Sequence, residues 1–109
     1  MREVLAATVL LALATAAPAA ASSDPLSPAR EAELRVLLEQ DCGSCHGLTR
    51  KGGLGSPLTP EALAGRSDDD LALTIRHGVP GTPMPPWAPL LSDAEVSVLV
   101  EMLRQGDVQ

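Results

Sequence analysis

The sequence has very few aromatic residues: no phenylalanine, no tyrosine and one tryptophan, Trp87. It has two cysteines, which excludes the framework of several disulfides that reinforces many small exported domains. Its largely apolar run, residues 4–17, is shorter than the about 20 residues that a membrane-spanning helix needs. A chain with so few large side chains must fill its centre with something other than its own aromatic residues.

The first residues predict a secretory signal peptide. A charged start is followed by the short apolar run and by small residues around Pro18 and Ala21. Cleavage is expected after Ala21, with Ala19 as the alternative, and an uncleaved membrane anchor is the competing interpretation. Removal of 21 residues from the chain of 109 leaves 88, one domain over residues 22–109. A domain of that size buries only roughly 60–65% of its unfolded surface.

The formal net charge is −6 and the pI is near 4.7. This acidity argues against nucleic acid and anionic membrane surfaces as partners. It suits docking onto a basic surface of another protein, or it serves solubility alone.

The chain carries four N-terminal helix signals, in which a serine or threonine precedes proline or acidic residues. They stand at Ser27-Pro28, Thr59-Pro60-Glu61, Ser67-Asp68 and Ser92-Asp93-Ala94-Glu95. The first helix is expected to end at Asp41-Cys42, the second at Gly65 and the third at Gly78. The three aspartates 68–70 are interpreted as capping charges rather than a metal site. No segment alternates with a period of two, so the predicted fold is all-α, with three to four helices.

Both cysteines and one of the two histidines lie in a single motif, DCGSCHG, residues 41–47. Two residues between the thiols allow both to reach the two vinyl groups of one porphyrin as thioethers. The adjacent histidine then reaches the iron as its proximal ligand. The spacing is typical of covalent c-type haem attachment through Cys42 and Cys45, with His46 on the iron.

Three other interpretations of the motif are weaker. A redox dithiol expects a preceding strand and a βαβ unit. A closed zinc site needs four ligands, and only His77 remains to join these three. A disulfide across two residues would be strained. The export signal adds weight to haem, because covalent attachment in bacteria takes place outside the cytoplasm.

From end to end, the mature chain resembles the small class I cytochromes c. The matching pieces are a helix leading into DCGSCHG, a loop with GSPL, the segment IRHGVPGTPMPPW and the helix SDAEVSVLVEMLR. The resemblance implies a cytochrome c fold around one covalent haem c. The narrower likeness is to the small periplasmic cytochrome encoded beside haem-cd nitrite reductase in denitrifying bacteria.

Three residues compete as the second iron ligand. Met84 lies in a segment, residues 79–89, that carries five prolines, and their rings hold its backbone rigid. The family resemblance indicates the same residue. His77 is expected to interact with a helix C-terminus and solvent, and Met102 to pack in the last helix. Met84 is the predicted ligand, with His77 or an open site as alternatives.

Supporting roles follow from the resemblance. The carbonyl of Pro57 is expected to accept the N–H of the proximal imidazole. Trp87 either packs at the haem edge, with its N–H towards a propionate, or belongs to the core. Arg76 and Lys51 are possible propionate partners, although solvated surface is the more ordinary role. Where the family has a glycine and aromatic residues at the crossing of first and last helices, this chain has Leu34, Leu38 and Met102.

The expected function is one-electron transfer by a periplasmic protein, not an enzyme, and a monomer. The resemblance suggests nitrite reductase as acceptor, a quinol-oxidising complex upstream, and electron removal during haem d maturation as a variant. The alternatives are a haem-based ligand binder or sensor, and a structural cytochrome subunit of a larger complex.

Overall fold

The computed structural model describes residues 26–106, and the expected signal peptide, residues 1–21, lies outside them. The described chain contains helices and no strands, so the all-α prediction is confirmed. Its α-helices are α1 (Pro28–Leu37), α2 (Gly43–His46), α3 (Pro60–Leu63), α4 (Asp68–His77) and α5 (Asp93–Gln105). Because a π-helical segment, Leu38–Cys42, joins α1 to α2, residues 26–106 form four helical units. None of the helices in the described residues is long and apolar enough to cross a bilayer.

The helices begin where the sequence predicts. Ser27, Thr59, Ser67 and Ser92 are the N-cap residues of α1, α3, α4 and α5, and each side chain accepts a backbone N–H from the first turn. At α5 the Glu95 side chain also accepts from the Ser92 backbone, which completes the capping box. α4 ends at Gly78 as predicted, and α3 ends at Leu63, two residues before the predicted Gly65.

The first helix does not end at Asp41-Cys42. At Leu38–Cys42 the α-helix changes to a π-helical turn, in which the N–H of Gly43 donates to the carbonyl of Leu38 five residues back. The helix then continues as α2 through His46. A π turn holds one more residue than an α turn, and such turns occur frequently at functional sites. The motif therefore stands on a helix rather than after one.

α5 is the central element of the core. It contacts α1, α3 and α4, and its Val96, Leu99, Val100 and Leu103 are buried. Leu34 and Leu38 pack in the same cluster with Met102, so the contact between the first and last helices is aliphatic.

Arg104 of α5 forms hydrogen bonds with residues in and beside the turn between α3 and α4. Its Nε donates to the Asp68 carboxylate at 2.8 Å, its Nη1 to the Leu63 carbonyl at 2.7 Å, and its Nη2 to the Arg66 carbonyl. One side chain thus fixes the turn between α3 and α4 against α5.

Candidate cofactor site

A cavity of about 810 Å³ lies among all the helical units. Its walls come from the motif, from the loop after it, from α3 and α4, from the proline-rich segment 79–87 and from α5. Leu38, Leu71, Ile75, Leu99 and Leu103 provide much of its apolar surface. The volume falls in the range of cofactor pockets, roughly 300–1,000 Å³.

The two cysteines line this cavity as free thiols. Burial, together with the nearby charge of Asp41, raises the pKa of Cys42 to about 11. The Cys42 thiol is therefore protonated at neutral pH, whereas a redox dithiol requires a lowered pKa. Among the described residues, no group of three histidines, cysteines or carboxylates is placed to hold a metal ion. The redox dithiol, the disulfide and the zinc site therefore find no support in this geometry.

His46 lines the cavity between these thiols and the following loop. Its Nδ1 lies 2.7 Å from the carbonyl oxygen of Ser56. Because a carbonyl only accepts, Nδ1 carries the proton and Nε2 keeps its lone pair, which is the tautomer that a metal-bound imidazole needs.

The acceptor differs from the predicted one by one residue: it is the carbonyl of Ser56, not that of Pro57. The physical reason lies in how the loop is pinned. Gly55 donates to the Cys45 carbonyl at 2.7 Å, and Leu58 donates to the Arg50 carbonyl at 2.9 Å. Between these anchors the residue before proline is confined to extended conformations, and its carbonyl meets the ring. Pro57 itself lines the cavity.

The absence of a side chain at Gly55 provides the space that the His46 imidazole occupies. A Cβ atom at this position would lie 2.6 Å from His46 Nδ1 and 2.7 Å from Cε1. The loop can approach the ring this closely only because residue 55 has no side chain.

Met84 lines the cavity from the proline-rich segment and is half-buried. Its carbonyl accepts from the Val79 N–H at 3.2 Å, and its own N–H donates to Thr82 Oγ1 at 3.3 Å. A Cβ on Gly78 would meet the Met84 carbonyl at 2.6 Å, so α4 ends in direct contact with this segment. These bonds add to the proline rings in fixing the backbone of Met84.

The two rivals of Met84 lie elsewhere. His77 is exposed at the C-terminal end of α4, and Met102 is buried in the helical core. Neither lines the cavity, so Met84 alone of the three candidates is brought to the same cavity as His46.

Trp87 is half-buried, lines the cavity and packs against the core cluster, and a contact of its side-chain N–H with a propionate stays a prediction. Its backbone N–H donates to the Ile75 carbonyl at 3.0 Å, which ties the proline-rich segment to α4. Arg76 pairs with Asp93 at 2.9 Å, and Lys51 is exposed. Neither lines this cavity.

Sequence reasoning missed Arg66 and Thr74, which line the cavity from the turn before α4 and from α4 itself. Arg66 stands directly before the Ser67 cap, and nothing in its local sequence distinguishes it from a surface arginine. Thr74 lies three residues after Leu71 and one before Ile75, so its helical position was the available signal.

The residues present fit a covalently attached haem. The cavity combines aliphatic walls for a flat macrocycle, two thiols at the attachment spacing, an imidazole in the ligating tautomer and a thioether on a rigid segment. Nitrogen and sulfur donors of these types are the axial ligands of c-type haem iron.

Comparison with known proteins agrees with this chemistry. A family model described as cytochrome c oxidase, cbb3-type, subunit III matches residues 29–103. Cytochrome c55X of Pseudomonas aeruginosa is 52% identical over 99 residues, which span 90% of this chain and 83% of that protein. The solved structure of the c-type cytochrome NirC is 53% identical, with a TM-score of 0.74, over 76% of this chain and 98% of that one.

A longer protein also matches. The dihydro-heme d1 dehydrogenase of Pseudomonas aeruginosa is 40% identical over 81 residues, 74% of this chain but only 16% of that protein. The match thus covers one small part of a much larger chain. The relatives that match over most of their length are cytochromes, which carry electrons and are not enzymes. With its motif, its cavity and its agreement with the family model and these cytochromes, the chain belongs to the cytochrome c family.

Proposed function

We propose that this protein is a monohaem electron carrier in which Cys42 and Cys45 hold the haem as thioethers and His46 and Met84 are the axial ligands. The observation that carries the proposal is the placement of Met84 in the same cavity as His46, while His77 and Met102 lie outside it. A haem c held in this way exchanges one electron with a partner. The residues around it keep the site apolar, orient the imidazole and present the thioether.

The remaining steps of the proposal concern place and partners. The signal peptide predicted over residues 1–21 supports export to the periplasm, which leaves residues 22–109 as a monomeric domain. The net charge of −6 supports docking on a basic surface of a redox protein. The resemblance supports nitrite reductase as the acceptor and a quinol-oxidising complex as the donor.

A second role within the same chemistry is electron removal during maturation of a d-type haem. The observation that favours it is the 40% identity to one part of a protein named dihydro-heme d1 dehydrogenase. Its similarity to a segment of such an enzyme supports a role in accepting the electrons that are removed from the d-type haem precursor. Electron transfer from the purified dehydrogenase and to the purified reductase, measured side by side, separates the two roles.

The axial ligands are tested by spectroscopy of the haem-loaded protein. Wild type is expected to show sharp low-spin bands when reduced and a weak near-infrared sulfur-to-iron band when oxidised. Met84→Ala removes the thioether and is expected to give a high-spin spectrum and rapid carbon monoxide binding. His77→Ala is the matched control for the rival ligand and should leave the spectrum unchanged.

Two results would contradict the proposal. An unchanged spectrum in Met84→Ala would remove Met84 as ligand. A high-spin wild-type protein that binds carbon monoxide rapidly would indicate a ligand binder or sensor in place of a carrier.

A further inference from the structure

Arg50 is the one charged residue that is buried in residues 26–106, with 7% of its surface exposed. It is also the one non-glycine residue in that range with a positive φ, 58°. The left-handed conformation is unfavourable for a residue with a Cβ atom, and a buried guanidinium is costly unless it is hydrogen-bonded. Both features persist only where the surrounding structure holds the residue in place, and such positions cluster at functional sites.

The backbone of Arg50 closes two loops beside the cysteine motif. Its N–H donates to the Gly47 carbonyl at 2.8 Å, which makes a tight turn at the end of the motif. Its carbonyl accepts from the Leu58 N–H at 2.9 Å, two residues after Ser56. The Ser56 carbonyl lies 2.7 Å from His46 Nδ1, so the Arg50 backbone helps to hold this carbonyl against the ring.

The side chain of Arg50 is anchored behind the wall of the main cavity. It lines a second cavity of about 300 Å³, and Leu58 and Leu103 line both cavities. Its Nη1 donates to the Leu48 carbonyl at 3.3 Å within the same loop. An arginine can bury its aliphatic stem along apolar surface in this way. Because Arg50 does not line the main cavity, its effect on the shape of the site passes through the residues that it holds.

We propose that Arg50 is a positioning residue that holds the Ser56 carbonyl on His46 and thereby sets the midpoint potential of the haem. This inference rests on the haem of the proposed function. A carbonyl that accepts the imidazole N–H makes the imidazole a stronger electron donor, which favours the ferric state and lowers the potential. A loop released from Arg50 moves this carbonyl away, so the potential rises.

Two measurements on the haem-loaded protein test this role: the exchange rate of the His46 Nδ1 proton, followed by NMR in the reduced state, and the midpoint potential. Arg50→Ala removes the buried stem and leaves a residue that disfavours the left-handed conformation. Exchange of the proton should become faster by about fivefold or more, the factor that corresponds to one lost hydrogen bond. The potential should rise, although removal of a positive charge would by itself lower it.

Arg50→Lys keeps the charge and a similar stem, so it should recover part of the wild-type value in both measurements. An exchange rate in Arg50→Ala equal to that of wild type would overturn the inference. A lower potential in Arg50→Ala would also overturn it, because the residue would then act through its charge and not by positioning the loop.

Lys51→Ala is the matched control. Lys51 is the neighbouring cation of the same loop and also lines the second cavity, but it is exposed. Its replacement removes one positive charge without removing a buried stem, so both measurements should match wild type. Equal changes in Lys51→Ala and Arg50→Ala would assign the effect to charge and contradict the positioning role.

A milder variant keeps the test decisive if Arg50→Ala does not fold. Asparagine accepts the left-handed conformation more readily than alanine, so Arg50→Asn keeps the turn and removes the anchored stem. The His46 proton should still exchange faster than in wild type, and an unchanged rate would overturn the inference here too. A wild-type protein in which His46 is not an iron ligand, shown by NMR of the same sample, would contradict the proposed function instead.

Discussion

At the scale of single residues, the site depends on close approach between the motif helix and the loop that follows it. Gly55 lies against the His46 ring, and its neighbour Ser56 accepts the ring N–H. The same loop is held by Gly52, which donates to the His46 carbonyl at 2.9 Å. The orientation of the imidazole is therefore set by backbone groups, and side-chain chemistry has little part in it.

Gly55→Ala is expected to lower the free energy of unfolding of the haem-loaded protein by about 1–3 kcal/mol, because the new methyl group would overlap the His46 ring. The displaced ring should also lose its bond to the Ser56 carbonyl and alter the low-spin spectrum. Urea unfolding and absorption spectra measure both effects.

Gly65→Ala is the matched control for this variant. A Cβ there meets nothing within 4 Å, so the change should stay within about 0.5 kcal/mol. Both substitutions reduce the freedom of the unfolded chain equally, and their difference isolates the collision. Equal stabilities in the two variants would show that the loop can move away from the ring.

At the scale of elements, the segment Leu38–Cys42 sets the angle between the packed face of α1 and the motif. Leu34 and Leu38 lie in the core, and Cys42, Cys45 and His46 line the cavity. One residue in a helix of 3.6 residues per turn corresponds to a rotation of about 100°. The extra residue of the π turn thus aims the motif relative to α1.

Deletion of Gln40, an exposed residue of this segment, should convert the π turn to an α turn and rotate the motif by about 100°. Either α1 then loses its packing in the core or the motif is displaced from the cavity. We expect the free energy of unfolding to fall by at least about 2 kcal/mol, which is comparable to truncating one core leucine to alanine. Gln40→Ala keeps the residue count and should remain within about 0.5 kcal/mol of wild type. A deletion variant as stable as Gln40→Ala, with an unchanged spectrum, would refute this account.

The start of α5 gives the fold a dependence on pH. The backbone N–H of Ser92, together with the Arg30 side chain, lowers the pKa of Glu95. A carboxyl with a lowered folded pKa stabilises the fold above its unfolded pKa of about 4.3, and this contribution is lost as pH falls through the folded value. Between about pH 6 and pH 3, wild type should lose more stability than Glu95→Gln.

Urea unfolding across this pH range provides the measurement. Glu101→Gln, on the same helix and exposed, is the control and should follow wild type. Parallel curves for wild type and Glu95→Gln would mean that the capping box contributes nothing specific to acid stability.

The helix starts were predictable because each is encoded within four residues. Ser27-Pro28, Ser67 before three aspartates and the Ser92–Glu95 box satisfy backbone N–H groups that any helix leaves open. The π turn was not predictable, because it depends on packing against α5 and on the cavity rather than on the helix propensity of the local sequence. The placement of Ser56 in place of Pro57, and of Arg66 at the cavity, likewise depends on contacts between distant segments.

At the scale of the whole molecule, residues of the hydrophobic core form part of the cavity wall. Leu38, Leu71, Leu99 and Leu103 are buried and also line the cavity. Replacement of Cys42 and Cys45 by alanine prevents attachment, and we expect that protein to be largely unfolded, because the short chain has little else to bury. Circular dichroism melting measures this against the haem-loaded wild type. A cooperative transition in the apoprotein would contradict the expectation.

A cavity that is walled by the core also imposes an order on biogenesis. If the leucines around the cavity complete their packing against the proposed haem, a chain without haem is expected to be more open to proteases than a haem-loaded chain. Resistance to proteases would then distinguish polypeptides that carry haem from those that do not.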